Sequence, residues 1–206
     1  METMKQLVRT QMEQSIATMQ AALSNEAMVE AVARAGELTA QSMLSGRKLM
    51  VAGNGGSAAD SQHLVAEFVS RLSVNRPALP AIALTTDTSI LTAIGNDFAF
   101  DNVFERQVEA LGQPGDVLLA ISTSGNSKNL LKALRLCRHR GIATIGYSGN
   151  GGGAMAELCD INVVIPSNTT MNIQECHLAL EHIFCMVVER CYFGAEFGAR
   201  PQVLSE

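Results

Sequence analysis

Two amphipathic helices are predicted at the beginning of the chain. In residues 1–23, apolar side chains recur every three or four positions and therefore share one face of a helix. That face carries Met4, Leu7, Val8, Met12, Ile16, Met19 and Leu23. A second helical pattern covers residues 25–45 and ends at Gly46. Because a sheet domain does not require two leading helices, we expect them to pack against the sheet, a partner subunit, or both.

Short apolar runs, which are typical of buried strands, alternate with helical patterns after Gly46. The predicted strands cover residues 48–54, 80–85, 115–123, 142–148 and 161–166. The predicted helices cover residues 57–72, 89–94, 103–111, 126–140 and 171–191. A glycine-rich turn at residues 149–153 leads into a further short helix.

This alternation predicts an α/β fold, a three-layer sandwich in which a five-stranded parallel sheet is covered by helices on both faces. We expect a single domain over residues 1–206. It would consist of N-terminal helices at residues 1–45, an α/β core at 46–192 and a tail at 193–206. Ligands of such sheets bind at the carboxyl ends of the strands, so the strand-to-helix junctions are where functional residues are expected.

Charge and cysteine content narrow the range of partners. The formal net charge is -5, and without a run of Lys or Arg the chain is not expected to bind nucleic acid. Its five cysteines are an odd number without a CxxC pair, which predicts reduced thiols in a cytoplasmic protein rather than a disulfide scaffold. No stretch approaches the roughly 18 apolar residues of a membrane span, so we expect no membrane partner.

The first predicted strand is followed by the glycine-rich turn AGNGGSAAD at residues 52–60. Glycine lets the backbone approach a ligand closely, and the start of a helix favours an anion. Asn54 and Ser57 add side-chain donors at this point. The spacing is neither GxGxxG nor GxxxxGK, so neither a dinucleotide nor a nucleoside triphosphate is indicated. The alternative interpretation is a tight turn in which Ser57 caps the helix.

A denser set of donors, the segment STSGNS at residues 122–127, follows the third strand. It offers the hydroxyl groups of Ser122, Thr123, Ser124 and Ser127 together with consecutive backbone amides. Several donors in one concavity suit the three oxygens of a phosphate group. Lys128 is the only cation nearby in the sequence, so dipoles would supply most of the binding. The alternative is a hydroxyl-rich loop with one capping serine.

Two predicted helices carry groups suited to acid/base chemistry or metal binding. His63 and Glu67 are four residues apart and share one helix face. The last helix concentrates polar side chains within nine residues, namely Gln174, Glu175, His177, Glu181 and His182. Nitrogen and oxygen ligands of this kind suit Zn²⁺, although both sets are also typical of solvated helix faces. Spacing does not decide whether His177 or His182 faces a site.

The segment GND at residues 95–97 by itself indicates only a helix C-cap, with Gly95 or Asn96 in the left-handed region. In combination, however, AGNGGS, QHLVAEF, GND, STSGNS and IQECHLALEH resemble the SIS (sugar isomerase) family, and closely its phosphoheptose isomerase branch. The resemblance extends from the N-terminal helices to about Tyr192. It implies the SIS fold, a phosphorylated sugar as substrate, and a homotetramer with active sites near subunit interfaces.

The resemblance also implies roles for individual residues. Those that match substrate-binding positions are Asn54, Gly55, Gly56, Glu67, Asn96, Asp97, Ser122, Thr123, Ser124, Ser127 and Gln174. Those that match the ligands of one Zn²⁺ per subunit are His63, Glu67, Gln174 and His182. The catalytic acid/base pair matches Glu67 and His182, which favours His182 over His177.

Members of this branch convert sedoheptulose 7-phosphate to D-glycero-D-manno-heptose 7-phosphate, a precursor of lipopolysaccharide cores and other bacterial glycans. Such an isomerisation moves a proton between C1 and C2 through an enediol, which a carboxylate and an imidazole can catalyse. Two alternatives stay open. One is an isomerase for another phosphosugar. The other is a non-catalytic SIS protein that binds the replication initiator, although that branch lacks the counterparts of Glu67 and His182.

Overall fold

The computed structural model describes residues 3–194 and contains one five-stranded sheet. Its strands are β1 (Leu49–Gly53), β2 (Ala81–Ala83), β3 (Val117–Ser122), β4 (Ala143–Ser148) and β5 (Ile161–Val164). They lie in the order β2-β1-β3-β4-β5, and every neighbouring pair is parallel. The predicted five-stranded parallel sheet is therefore confirmed.

Helices account for most of the remaining described chain. They are α1 (Met4–Leu23), α2 (Glu26–Leu44), α3 (Gly56–Val69), α4 (Thr88–Asp97), α5 (Val103–Leu111), α6 (Lys128–Arg140) and α7 (Thr170–Phe193). Two 3₁₀ segments cover Phe100–Asn102 and Asn150–Glu157. Among the described helices, none combines the length and apolarity that crossing a bilayer requires.

Alternate residues of the central strands face two separate apolar layers. Leu49 and Val51 of β1 belong to a cluster with side chains of α2, α3 and α7. Met50 and Ala52 of the same strand belong to a second cluster with side chains of α4, α5 and α6. Burial on both faces explains why the strands are continuously apolar instead of alternating. The predicted three-layer sandwich is confirmed.

The apolar face of α1 lies outside this core. Among its residues only Thr18 and Ala22 are buried, whereas Met4 and Leu23 are 72% and 73% exposed. Near the end of α1 the exposed face continues into an apolar groove that also includes Ile183 of α7. The sequence left the sheet and a partner subunit open as packing partners for this face. The sheet is not one of them, because the face lies outside the core.

Several predicted boundaries were wrong. α3 ends at Val69 rather than at residue 72, because the chain leaves helical geometry at Ser70. The left-handed cap predicted at residues 95–96 does not form, since α4 continues to Asp97 and ends where the Phe98 amide donates to the Ile94 carbonyl. The bounds predicted for the domain stay a prediction, and residues 195–206 of its tail lie outside the described residues.

The sheet order brings the loops after β1 and β3, both predicted to bind a ligand, side by side. From β1 the chain crosses to β2 on one side and then returns to β3 on the other side of β1. Crossovers that diverge in this way leave a crevice outside the carboxyl ends of the two central strands. Gly53 pairs with Ile121 in the sheet, so the turn after β1 and the segment after β3 both border this crevice.

Candidate active site

The turn after β1 requires glycine at two positions. Gly55 has φ of 57° and directly precedes α3, a left-handed conformation that other residues adopt only with strain. A Cβ atom at Gly56 would lie 2.3 Å from Nε2 of Gln174, so a side chain there would displace this amide. Ser57 lies inside α3 and is buried. The predicted Ser57 cap is therefore wrong, because Gly55 occupies the capping position.

Asn54 joins this turn to the beginning of α6. Its Nδ2 donates to Oδ1 of Asn129 at 3.0 Å, and Nδ2 of Asn129 donates back to Oδ1 of Asn54 at 2.8 Å. Asn129 is buried, and sequence reasoning did not identify it. The reciprocal pair fixes the glycine-rich turn against α6, the helix that follows the segment STSGNS.

The hydroxyl groups of the segment STSGNS converge at the start of α6. Oγ of Ser122 lies 3.0 Å from Oγ of Ser127 and 3.4 Å from Oγ of Ser124. Ser127 is the N-cap residue of α6, yet its side chain makes no capping hydrogen bond. Asn150 donates to the carbonyl of Thr123 at 3.1 Å and so joins this segment to the 3₁₀ segment that follows β4. Hydroxyl groups that cluster at a helix N-terminus suit an anion such as phosphate.

Three acid/base side chains of α3 and α7 meet at one point. Nε2 of His63 lies 2.8 Å from Nε2 of His182 and 3.6 Å from Oε1 of Glu67. The three potential ligand atoms lie within 4.8 Å of one another. Two imidazole nitrogens this close repel each other unless a proton or a cation lies between them. The structure therefore brings together side chains that are remote in sequence.

This cluster fits a divalent metal. With Zn–N distances of about 2.0–2.1 Å, two ligands of a tetrahedral zinc lie roughly 3.3 Å apart, which small adjustments of the two imidazoles would reach. Gln174 lies beside the cluster: its Nε2 donates to Oδ2 of Asp60 at 2.9 Å, which leaves its carbonyl oxygen as the free ligand atom. Zinc binding by His63, Glu67 and His182, and ligation by Gln174, stay predictions.

Asp60 is a residue of this site that sequence reasoning missed. It is buried on α3, three residues before His63, and its carboxylate accepts the hydrogen bond from Gln174 of α7. Burial raises the pKa of the Asp60 carboxyl, while the bond from Gln174 and the charge of His63 oppose that rise. The sequence signal that could have identified Asp60 is its position three residues before His63, on the same helix face. Asp60 thus links α3 to α7 about one helical turn before His63.

His177 and Glu181 face the core instead. Nε2 of His177 donates to the carbonyl of Ser148 at 3.1 Å, and burial lowers the pKa of this imidazole to about 4. Burial, with a smaller contribution from the charge of Asp60, raises the pKa of Glu181 to about 8. The question that spacing left open is resolved, because His182 lies in the cluster whereas His177 is a core residue.

Burial of His177 makes the folding stability of the protein depend on pH. Its pKa of about 4 lies below the ordinary value of 6.5, so the unfolded chain binds the proton first and stability falls as the pH drops from 6.5 towards 4. Between pH 7 and pH 5 this costs about 2 kcal/mol. We expect the free energy of unfolding, measured with urea in the presence of chelator, to decrease between pH 7 and pH 5 by about 2 kcal/mol less in His177→Asn than in the unsubstituted protein. The exposed His139→Asn should keep the original slope, and equal slopes in all three would contradict this.

Asn96 and Asp97 lie at the exposed end of α4. Nδ2 of Asn96 donates to Oδ1 of Asp97 at 2.8 Å, and within the described part of the chain neither makes a hydrogen bond or ion pair to the His63, Glu67 and His182 cluster. Their contact with substrate stays a prediction. Glu175, next to Gln174, faces α1, where its Oε2 accepts from Ser15 at 2.6 Å.

Proteins with this sequence pattern and fold are known. The family model described as SIS domain matches residues 11–149. The chain is 48% identical over 200 residues to phosphoheptose isomerase 2 of Campylobacter jejuni, covering 97% of this chain and 100% of that one. The phosphoheptose isomerase structure from Neisseria gonorrhoeae has a TM-score of 0.85 at 42% identity, covering 91% of this chain and 99% of that one. The one from Francisella tularensis has a TM-score of 0.88 at 34% identity, with the same coverage. The chain therefore belongs to the SIS domain family and, within it, to the phosphoheptose isomerases.

Proposed function

We propose that this chain is an aldose–ketose isomerase that converts sedoheptulose 7-phosphate to D-glycero-D-manno-heptose 7-phosphate. The observation that carries the proposal is the meeting of Glu67 with His182 between α3 and α7, in a chain that also has a hydroxyl-lined segment at the start of α6. The names of the relatives that the chain matches over most of its length support the same activity. The product would enter the synthesis of bacterial heptose-containing glycans.

The phosphate group would bind at the start of α6. Ser122, Ser124 and Ser127 would donate their hydroxyl hydrogens to its oxygens, alongside the first amides of the helix. This leaves the other end of the sugar for the acid/base residues of α3 and α7. Binding energy from the phosphate, which is remote from the reacting carbons, can then be used to orient C1 and C2.

Glu67 and His182 would move the protons. The Glu67 carboxylate takes a proton from C1 while the C2 carbonyl oxygen gains one, which gives the enediol. Loss of the proton on O1 and return of a proton from Glu67 to C2 then give the aldose. His182 serves as the acid and base for the two oxygens, a task for which an imidazole suits neutral pH. When bound by His63, Glu67, Gln174 and His182, zinc would polarise the carbonyl and stabilise the enediolate charge.

The exposed face of α1 supports an oligomer, and the cysteines support a location in the cytoplasm. The exposed apolar face of α1, with Met12 62% and Ile16 54% exposed, has the character of a subunit interface, because monomers rarely expose a contiguous stripe of this kind. Pairing of this face between two copies would supply one of the interfaces of the homotetramer that the family resemblance implies. All five cysteines are free, which accords with a reducing compartment.

Ser127→Ala should weaken substrate binding more than it weakens the fold. The Ser127 hydroxyl makes no capping bond, and losing its hydrogen bond to Ser122 costs about 1 kcal/mol, whereas a hydrogen bond to a charged phosphate contributes about 1.5–3 kcal/mol. We expect KM for the phosphosugar to rise roughly tenfold to a hundredfold, with little change in kcat. Ser45→Ala, which removes an exposed hydroxyl at the end of α2, is the matched control. A KM unchanged in both variants would remove Ser127 from the phosphate site.

The function is tested by offering the purified protein sedoheptulose 7-phosphate and, in parallel, ribulose, fructose and arabinose phosphates. We expect turnover of the heptulose phosphate and its loss after treatment with a chelator. Turnover of one of the other sugars alone would establish the alternative phosphosugar isomerase. No turnover of any sugar, together with binding of the replication initiator, would establish the non-catalytic alternative.

A further inference from the structure

Arg76 lies in the segment between α3 and β2, and its charged side chain is fully buried. The guanidinium has no exposed surface, and its partner Glu189 on α7 is 4% exposed. Nε of Arg76 donates to Oε1 of Glu189 at 2.6 Å. A buried charge is retained only when its donors are satisfied, so the remaining contacts of this guanidinium show what it holds together.

The other end of the guanidinium caps α3. Nη2 donates to the carbonyl of Glu67 at 2.6 Å, and Nη1 donates to the carbonyl of Phe68 at 2.7 Å. These carbonyls belong to the last turn of the helix, where no following turn supplies amide donors and a cation is favoured. One of them is the backbone carbonyl of Glu67 itself. Arg76 therefore bonds to the residue whose carboxylate is the proposed base.

The bond to Glu189 joins the same guanidinium to the second functional helix. Glu189 lies seven residues after His182, which is two turns further along nearly the same face of α7. One rigid, planar group thus contacts both helices that supply the acid/base cluster. Its fork of donors satisfies the carbonyls of Glu67, Phe68 and Pro77 and a carboxylate at once, which a lysine could not reproduce.

We propose that Arg76, paired with Glu189, is a positioning residue that sets the carboxylate of Glu67 against the imidazole of His182. The inference rests on the proposed function, because the distance it controls matters only if these two groups act together. Without the clamp, the last turn of α3 loses its cap while His63, one turn earlier, keeps its helical backbone. The Glu67 carboxylate would then move relative to both imidazoles.

The test compares Arg76→Met and Arg76→Lys with a control pair of similar kind. Asp116 is a buried carboxylate that binds Lys48 at 2.6 Å, and its hydrogen bonds go to Lys48 and Gln113, not to α3 or α7. Asp116→Asn therefore breaks an ion pair that makes no hydrogen bond to the two helices of the cluster. All variants are measured at a temperature at which urea unfolding shows them to be folded.

We expect kcat to fall at least tenfold in Arg76→Met, with KM changed less than threefold, and to fall by a smaller factor in Arg76→Lys. Asp116→Asn should keep the original kcat even if it unfolds at lower urea. A kcat loss in Asp116→Asn equal to that of an equally destabilised Arg76 variant would overturn the proposal. So would an unchanged kcat in both Arg76 variants, and if Arg76→Met does not fold, Arg76→Lys decides alone.

A second readout does not require activity. The chain has only four histidines, so their imidazole NMR signals in the metal-free protein can be assigned by single substitutions. We expect the signals of His63 and His182 to shift in the Arg76 variants, with those of the exposed His139 unchanged. If the unsubstituted protein has no isomerase activity, the proposed function fails but this measurement still tests the clamp. Unchanged signals of His63 and His182 would overturn it.

Discussion

Replacement of Glu67 by glutamine should reduce kcat on sedoheptulose 7-phosphate by roughly 1,000-fold, within the range of a lost general base. The amide keeps the size of the side chain and one oxygen, but it cannot take the proton from C1. Since the proposed phosphate site after β3 is untouched, KM should change by much less than kcat. A coupled assay of the product aldose, with steady-state kinetics on both proteins, measures the two constants separately.

Glu37→Gln is the matched control for this experiment. Glu37 is an exposed glutamate in the middle of α2, so the same change of charge occurs outside the cluster, and full activity is expected. Near-normal turnover by Glu67→Gln would remove Glu67 from its assigned role. A loss of kcat in both variants would show that the effect comes from net charge and not from the position of the carboxylate.

The second large effect is expected from His182→Asn, which should strongly lower both the isomerisation rate and the zinc content. The imidazole is 2.8 Å from that of His63, so its removal leaves the cluster with one nitrogen ligand and without the proton carrier for the two oxygens. We expect kcat to fall at least about 100-fold. Zinc content measured by mass spectrometry after dialysis against a weak chelator should fall below that of the unsubstituted protein.

His177→Asn distinguishes this role from a general effect of histidine loss on α7. His177 lies five residues earlier on the same helix, but its ring is bonded to the Ser148 carbonyl in the core. We expect this variant to be less stable and yet to retain zinc and kcat wherever it is folded. The opposite result, with zinc lost in His177→Asn and kept in His182→Asn, would reverse the assignment of the two histidines.

The sheet could be predicted from the sequence because the burial of each strand determines that strand's own pattern of apolar residues. Both β1 and β3 are buried on two faces, so their apolar runs are continuous and easily recognised. The hydroxyl-rich segment STSGNS follows β3 as its apolar run predicted, and its binding of phosphate stays a prediction. The ends of helices were less certain. The GND segment continues α4 because its preceding turn packs Ile94 into the core, a contact that no cap motif shows.

The acid/base cluster could not be derived from spacing, because α7 carries polar groups on more than one face. Burial of His177 and exposure of His182 to α3 depend on how the helix is rotated against the sheet, which is a tertiary property. The same holds for Asp60 and Arg76, whose partners Gln174 and Glu189 are 114 and 113 residues away. Family resemblance favoured His182, but it did not identify Asp60 or Arg76.

In the proposed reaction, α3 and α7 bring a carboxylate and an imidazole together to move a proton between neighbouring carbons of a phosphosugar. A proton NMR time course with sedoheptulose 7-phosphate, in D₂O and with zinc present, follows this reaction without a coupling enzyme. We expect resonances of D-glycero-D-manno-heptose 7-phosphate to appear with the unsubstituted protein and not with the double variant Glu67→Gln, His182→Asn. An unchanged spectrum with the unsubstituted protein, or equal product formation by the double variant, would contradict it.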